Sequence, residues 1–371
     1  MRLHSATASH GKLRRRRFLA ASATAITGML AAPSIRRASA SQLVIVASGS
    51  GTYKTAQINA YFKPFTASTG IEVVAKDVLS LAQKKAMMET GDAEVDIFGH
   101  ALSDVAIMAK SGWLAPVDYG AFRPQDIAAI APTDRQPYGL GFIYWAEVMA
   151  YRTDVFGAGH QPKTWVDFWD VARFPGNRCF GDPSYNYAIE FAAIADGVPM
   201  DKIYPLDMAR ALKSLSRIRN SIISYYGKSG ALPAEQLHDK EVVLASTSNG
   251  RVQEVIDAGL PIVIEWNQGM MYHTFYSVAK NAPNKENAMK LLAYIAQPEP
   301  QAKFASIIPY GPSNAKAYDF IPDKLGRTLP TYPAYRDKMF VKDEEWWIAE
   351  GSPGKSNREL MIELWDAWKL Q

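Results

Sequence analysis

Three times between Leu43 and Gly112, a short run rich in Val and Ile gives way to a helix-length segment that stops on a glycine. Leu43-Val44-Ile45-Val46 precedes a helical stretch from Lys54 to Ser68, and Gly70 follows. Ile71-Glu72-Val73-Val74 precedes Leu81–Thr90 and Gly91. Val95-Asp96-Ile97-Phe98 precedes Asp104–Lys110 and Gly112. Glycine ends helices because it enters the left-handed region without a Cβ clash. Strands alternating with helices build a parallel sheet with helices laid over it, so the fold class expected is α/β.

The alternation resumes after Gly139. Gly141–Tyr151 reads as a long strand and Trp165–Asp170 as a short helix, with Thr164 as N-cap and Asp167 completing a capping box. Cys179-Phe180, Val242–Ala245, Ile262–Ile264 and Tyr276–Ala279 read as strands. Tyr185–Ala195, Asp207–Ile218, Arg251–Ala258 and Lys285–Ala296 read as helices, the last ended by Pro298. Pro64 kinks or shortens the first helix. A tail from Asp319 to Trp347 lacks clean periodicity. Ser356–Leu370 closes as an amphipathic helix carrying Leu360, Leu364 and Trp368. A chain of 371 residues exceeds what one core holds, roughly 250–300 residues, so two lobes are expected. Cys179 is the only cysteine, so no disulfide forms within the chain.

The net charge of +4 is unevenly placed. Residues 1–40 hold eight Lys/Arg and no Asp or Glu, leaving 33 basic against 37 acidic residues in the body. A mildly acidic body has no electrostatic footprint for nucleic acid. The order of features in residues 1–40 is that of a signal peptide: Arg14–Arg17, an apolar run from Phe18 to Ala32, then Ala38-Ser39-Ala40. Arg15-Arg16-Arg17-Phe18-Leu19 matches a twin-arginine signal, with the Sec route as the alternative. The apolar run is short for a membrane anchor, which needs about 20 residues. Export to the periplasm follows, with a mature chain starting near Ser41.

No Gly-x-Ser-x-Gly elbow, phosphate loop, dinucleotide fingerprint or zinc helix is present, so no catalytic residue and no cofactor is assigned. No His/Cys/Asp spacing converges on a metal. Tyr225-Tyr226 resembles the tyrosine pair of ferric-ion binders, but its surroundings do not.

Several blocks resemble the spermidine/putrescine-type periplasmic solute-binding proteins of ABC importers. They are Phe62–Val74; Asp96-Ile97 with Met108, Gly112, Leu114, Pro116 and Asp118; Pro162–Asp170; Asn249-Gly250; and Asn281–Glu299 with Tyr310–Asn314. The aromatic residues in them, Trp165, Phe168, Trp169, Phe62 and Phe65, read as core. The resemblance implies a two-lobe periplasmic-binding-protein fold of type II, each lobe a mainly parallel sheet flanked by helices, with a hinge between. Lobe 1 would hold 41–142 and 273–330, lobe 2 148–266, and 331–371 a C-terminal helical segment packed on both. A monomer capturing a small molecule and delivering it to permease subunits in the inner membrane is the implied function.

Ligands of such folds lie beyond the carboxyl ends of the strands, where the two lobes face each other. The candidate ligand residues are Ser48, Ser50, Tyr53, His100, Ser103, Tyr144, Trp145, Glu147, Tyr185, Asn249, Arg251, Trp266, Tyr272 and Thr274. Arg251, at a helix start, suits a carboxylate, or else pairs with Glu254 on the surface. Glu147, in an aromatic strand, needs a partner: a ligand ammonium or a nearby Arg or Lys. Trp145, Tyr144, Trp266 and Tyr272 offer walls for an aliphatic or cationic ligand. Where the polyamine binders carry acidic anchors, this chain has Thr274 and Tyr185. That favours a small zwitterion, an amino acid or a related amine-bearing acid, over spermidine or putrescine.

Overall fold

The computed structural model describes residues 43–91, 93–185, 188–227 and 229–371; the signal-peptide reading of residues 1–40 lies outside them. A single sheet of 12 strands runs through the molecule. Its eight principal strands are β1 (Leu43–Ala47), β2 (Glu72–Lys76), β3 (Ile97–His100), β4 (Gly139–Arg152), β5 (Arg178–Gly181), β6 (Ile222–Tyr226), β7 (Leu244–Ser248) and β8 (Ile262–Ala279). They lie in the order β2-β1-β3-β8-β4-β7-β5-β6. Strand β1 is parallel to β2 and β3, and β5 is parallel to β6 and β7. The two long strands β4 and β8 run antiparallel to each other, and β8 to β3 and β4 to β7. Each half is therefore three parallel strands closed by an end of both long strands.

Apolar side chains sort into two large cores. One gathers residues from 44 to 143 and from 275 to 304, the other residues from 149 to 222 with Met270, Tyr272, Trp347, Met361, Trp365 and Trp368. Each fully buried large apolar side chain contributes about 1.5–3 kcal/mol. Trp165, Phe168 and Trp169 are buried in the second core, and Trp165 stacks on Phe191 with 3.9 Å between ring centroids. The Thr164/Asp167 capping box forms as expected. Asp96 is buried and accepts from the backbone of Ile45 and Asn284, tying the entry of β3 to β1 and to the helix start at Asn284.

Five expectations change. The first helix is α1 (Gly51–Gln57), a π-helical turn over Ile58–Phe62, and α2 (Lys63–Thr69). Pro64 has no N–H for the Ala60 carbonyl, and the ladder widens there: the Lys63 N–H reaches the Ile58 carbonyl. Two further helices, α3 (Leu81–Thr90) and α4 (Leu102–Lys110), complete this half's first turns. Ile262–Ile264 and Tyr276–Ala279 are two ends of the single strand β8, with a bulge between Glu265 and Met270. The segment after β5 is a 3₁₀ turn, Pro183–Tyr185, before the helix α5 (Ile189–Ala195). The last helix buries Met361, Trp365 and Trp368, while Leu364 faces solvent. Pro298 opens a new helix, Pro298–Ala305, because a missing N–H costs nothing at a first helical position.

Candidate functional site

The residues just beyond β1, β2, β3, β5 and β7 line one cleft, as expected for chain ends of parallel strands. Gly99 allows this convergence. A Cβ there would stand 2.2 Å from the Ser48 Cβ, so only glycine lets β3 approach the exit of β1. The cleft consists of three hollows that share walls.

The first hollow, about 450 Å³, lies between Ser48–Tyr53 and the start of the helix α6 (Asn249–Asp257), with Pro309 and Tyr310 as its third side. Gly250 and Arg251 line it. The open N–H groups of α6 give a positive end, and Arg251 adds a full charge. Arg251 stands 3.6 Å from Glu254, both half-exposed or more, a pairing worth little in water.

The middle hollow, about 310 Å³, is walled by Tyr53, His100, Trp145, Tyr272, Thr274 and Tyr310. Trp145 and Tyr272 oppose each other across β4 and β8 and stack, with centroids 4.0 Å apart and planes 4° from parallel. The His100 Nε2 lies 2.9 Å from the Ser277 Oγ. Burial, with Lys84 nearby, lowers the His100 pKa well below the usual value, so its ring is neutral at pH 7. Ser48 shares its hydroxyl with Gln57 and Tyr276.

The third hollow, about 370 Å³, adds Ser103, Asp104, Tyr185, Glu344 and Arg358 to the Trp145–Tyr272 shelf. The Lys84 Nζ donates to Asp104 at 2.9 Å. Arg358 stands 3.8 Å from Glu344, beyond hydrogen-bond reach. The Glu344 Oε2 is buried without a hydrogen-bond partner among the described residues. Beside the shelf, the Lys342 Nζ lies 5.5 Å from the Tyr272 ring centroid and 4.8 Å from that of Trp347. It pairs with Glu190 at 3.0 Å, both side chains fully buried, and Tyr204 and Trp347 also donate to that carboxylate.

Of the candidate residues, Ser48, Ser50, Tyr53, His100, Ser103, Trp145, Tyr185, Arg251, Tyr272 and Thr274 line these hollows. Four do not. Tyr144 lies on the opposite face of β4 from Trp145, donating to Asp134 at 2.8 Å and packing with Trp266, Met271 and Met339. Trp266 stacks on Tyr335 in that same cluster. Glu147 is fully buried beneath the shelf face and accepts from the Tyr226 hydroxyl; burial pushes its pKa up to about 8. Asn249 is buried and spends its side chain on backbone groups.

Asp104, Glu344, Arg358, Val78 and Tyr310 line the cleft without having been singled out. Asp104 adjoins Ser103 and was within reach of the strand-end argument. Glu344 and Arg358 come from the tail, where no periodicity marked them. A larger hollow of about 850 Å³, around Phe65, Met289 and Tyr294, lies away from this cleft and is mostly apolar.

The profile of the bacterial extracellular solute-binding protein family matches residues 60–347. The chain belongs to this family. It is 31% identical over 334 residues to the gamma-aminobutyric acid-binding protein of Pseudomonas aeruginosa, covering 88% of this chain and 91% of that one. It is 24% identical over 311 residues to the spermidine/putrescine-binding periplasmic protein of Escherichia coli, covering 81% and 86%. Its fold is similar to that of the solved Atu4243-GABA receptor, with a TM-score of 0.77, 29% identity and coverage of 88% and 97%. The two-lobe α/β arrangement is thus that of the solute-binding components of ABC transporters. No helix of the described residues is long and apolar enough to cross a membrane.

Proposed function

We propose that this solute-binding protein captures a short ω-amino acid of the gamma-aminobutyric acid (GABA) kind in the cleft and presents it to the permease of an ABC importer. The observation that carries this reading is the sorting of charge along the cleft. Arg251 and the start of α6, with Glu254 on the rim, border one end; Asp104 and Glu344, with Arg358, border the other; and the Trp145–Tyr272 shelf lies between. A carboxylate suits the first end, where a guanidinium fork and helix N–H groups converge. An ammonium suits the second, where the Glu344 Oε2, which makes no hydrogen bond among the described residues, and the Lys84-paired Asp104 adjoin an aromatic face. The relatives named for GABA support the choice.

The Escherichia coli relative raises polyamines as a second reading. The uncharged Thr274 and Tyr185 in the cleft wall weigh against a dication. The receptor works as a periplasmic monomer in this reading, exported by a twin-arginine signal in residues 1–40. Lobe 1 comprises 41–142 with 273–330, lobe 2 148–266, and 331–371 packs on both. The hinge lies in 142–148 and 266–274. Binding is its whole task, with no cofactor and no catalysis.

Calorimetry on the mature protein with GABA and with spermidine tests this. GABA should bind and spermidine should not. Losing one partner of a desolvated charge pair costs about 2–5 kcal/mol, so Arg251→Ala should weaken GABA by about 30-fold or more. Arg251→Lys, lacking the fork, should restore only part. Tight spermidine binding, or GABA binding indifferent to Arg251→Ala, refutes the reading.

A further inference from the structure

Asn249 opens α6, and its side chain is fully buried. Its Oδ1 accepts from the backbone N–H of Ala146 at 2.9 Å, in β4 where that strand passes from one core to the other. Its Nδ2 donates to the Pro309 carbonyl at 2.8 Å. The next residue, Gly250, lies against Tyr310 so closely that a Cβ would stand 3.0 Å from the Tyr310 Cε1. The first turn of α6 is thereby tied to the long strand and to the wall on the far side of the first hollow. Gly250, Arg251, Pro309 and Tyr310 all line that hollow. An amide is the side chain that serves here, because one end must accept and the other must donate. Aspartate would keep the first bond and lose the second; alanine would lose both.

We propose that Asn249 is the positioning residue of the anion-binding end: it pins the start of α6 so that Arg251 and the open N–H groups meet a ligand carboxylate at a fixed place. This rests on the reading of Arg251 as the carboxylate anchor. Arg251 itself is half-exposed, and its ion pair with Glu254, 3.6 Å apart and open to water, is too weak to hold it. The pin supplies the order that the arginine lacks, and order present before binding need not be bought from the ligand's affinity.

The test is a double-mutant cycle read by GABA calorimetry, with native-state hydrogen exchange beside it. Removing a buried hydrogen bond leaves its partners unmet, so Asn249→Ala should weaken GABA by about tenfold or more. In an Arg251→Ala background the same change should cost clearly less, about threefold or under, because only the open N–H groups of α6 remain to be positioned. Gly250→Val presses α6 away from Tyr310 with the Asn249 side chain intact. It should give the same pattern, and it carries the cycle if Asn249→Ala does not fold. A merely structural asparagine would show an equal loss in both backgrounds, or none; either result overturns the proposal. Exchange needs no ligand. In the pinned protein, Asn249→Ala should speed exchange at Ala146 and in the first turn of α6 while β7 stays protected. Uniform acceleration through both elements overturns the pin. A wild type that ignores GABA refutes the ligand reading instead, and the exchange result then decides the pin on its own.

Discussion

Glu147→Gln should make the protein more stable, and by an amount that grows with pH. Glu147 is 0% exposed, one strand step beyond Trp145 on the same face of β4. Burial raises its pKa from 4.5 to about 8, against smaller opposite effects from the Tyr226 and Ser246 hydroxyls and from Lys342. Its Oε2 has no hydrogen-bond partner among the described residues. The fold therefore favours the neutral acid, whereas the unfolded chain ionises it from about pH 4.5. A raised folded pKa gives stability that is complete below the unfolded pKa and drains away as pH climbs to the folded one. Each pH unit in that window costs ~1.4 kcal/mol. Relative to a side chain that never ionises, the penalty is ~1 kcal/mol at pH 5 and ~3 kcal/mol at pH 7, levelling off at ~5 kcal/mol above pH 8. Glutamine keeps an acceptor for the Tyr226 hydroxyl and never ionises. Urea unfolding of wild type and Glu147→Gln at pH 5, 7 and 8.5 measures the gap directly. A difference that is the same at all three values refutes the argument, because it would mean that Glu147 stays ionised inside the fold. GABA affinity should change by less than about twofold, since a buried group that lines none of the hollows has no ligand contact to lose. A large loss would return Glu147 to the ligand site.

Lys342→Met should destabilise the protein by about 3–5 kcal/mol in urea unfolding, because it leaves the Glu190 carboxylate buried and uncompensated. Adding Glu190→Gln to Lys342→Met should recover most of that loss, and a double variant no better than the single one would show that the pair is not the cause. Saturating GABA should compact the protein in small-angle scattering as the two lobes close, and an unchanged radius of gyration would exclude a closing clamp. Arg15→Lys with Arg16→Lys should leave precursor inside the cell, and normal export would point to the Sec route.

The parts of the fold that were legible in the sequence are those governed by local rules. Helix-stopping glycines fall where Gly70 and Gly91 take positive φ at the ends of α2 and α3. Thr164 with Asp167 forms its cap because the capping box needs only four adjacent residues. The long strand β8 was not legible as one element. Its middle, Glu265–Met270, bulges and carries Asn267, Gln268 and Gly269, residues that interrupt a strand pattern. Its continuity comes from pairing with β4 on both sides of the bulge, and that is a tertiary fact. Glu344 and Arg358 were illegible for a similar reason. They reach the cleft because Met361, Trp365 and Trp368 anchor the last helix in the second core, and Phe340-Val341 pair with β8.

Which aromatics face the cleft turns on a single step of register. Side chains alternate across a strand, so Tyr144 and Trp145 cannot both face the cleft. Composition favours neither. The partner strand decides: Trp145 pairs with Tyr272, and Tyr144 with His273. The His273 Nδ1 and the Tyr144 hydroxyl both reach the buried Asp134, at 2.7 Å and 2.8 Å, a polar contact that holds those two side chains on the closed face. A slip of one residue would put the bulkier Trp145 indole beside Asp134 in place of the phenol that donates to it, and would strand Tyr144 in the cleft. The same alternation carries Glu147 under the shelf with Trp145, and the extra residues of the β8 bulge bring Met270 opposite it. The aromatic shelf and the buried carboxyl are therefore one consequence of one register, and Asp134, lining none of the three hollows, helps to set which residues line the cleft.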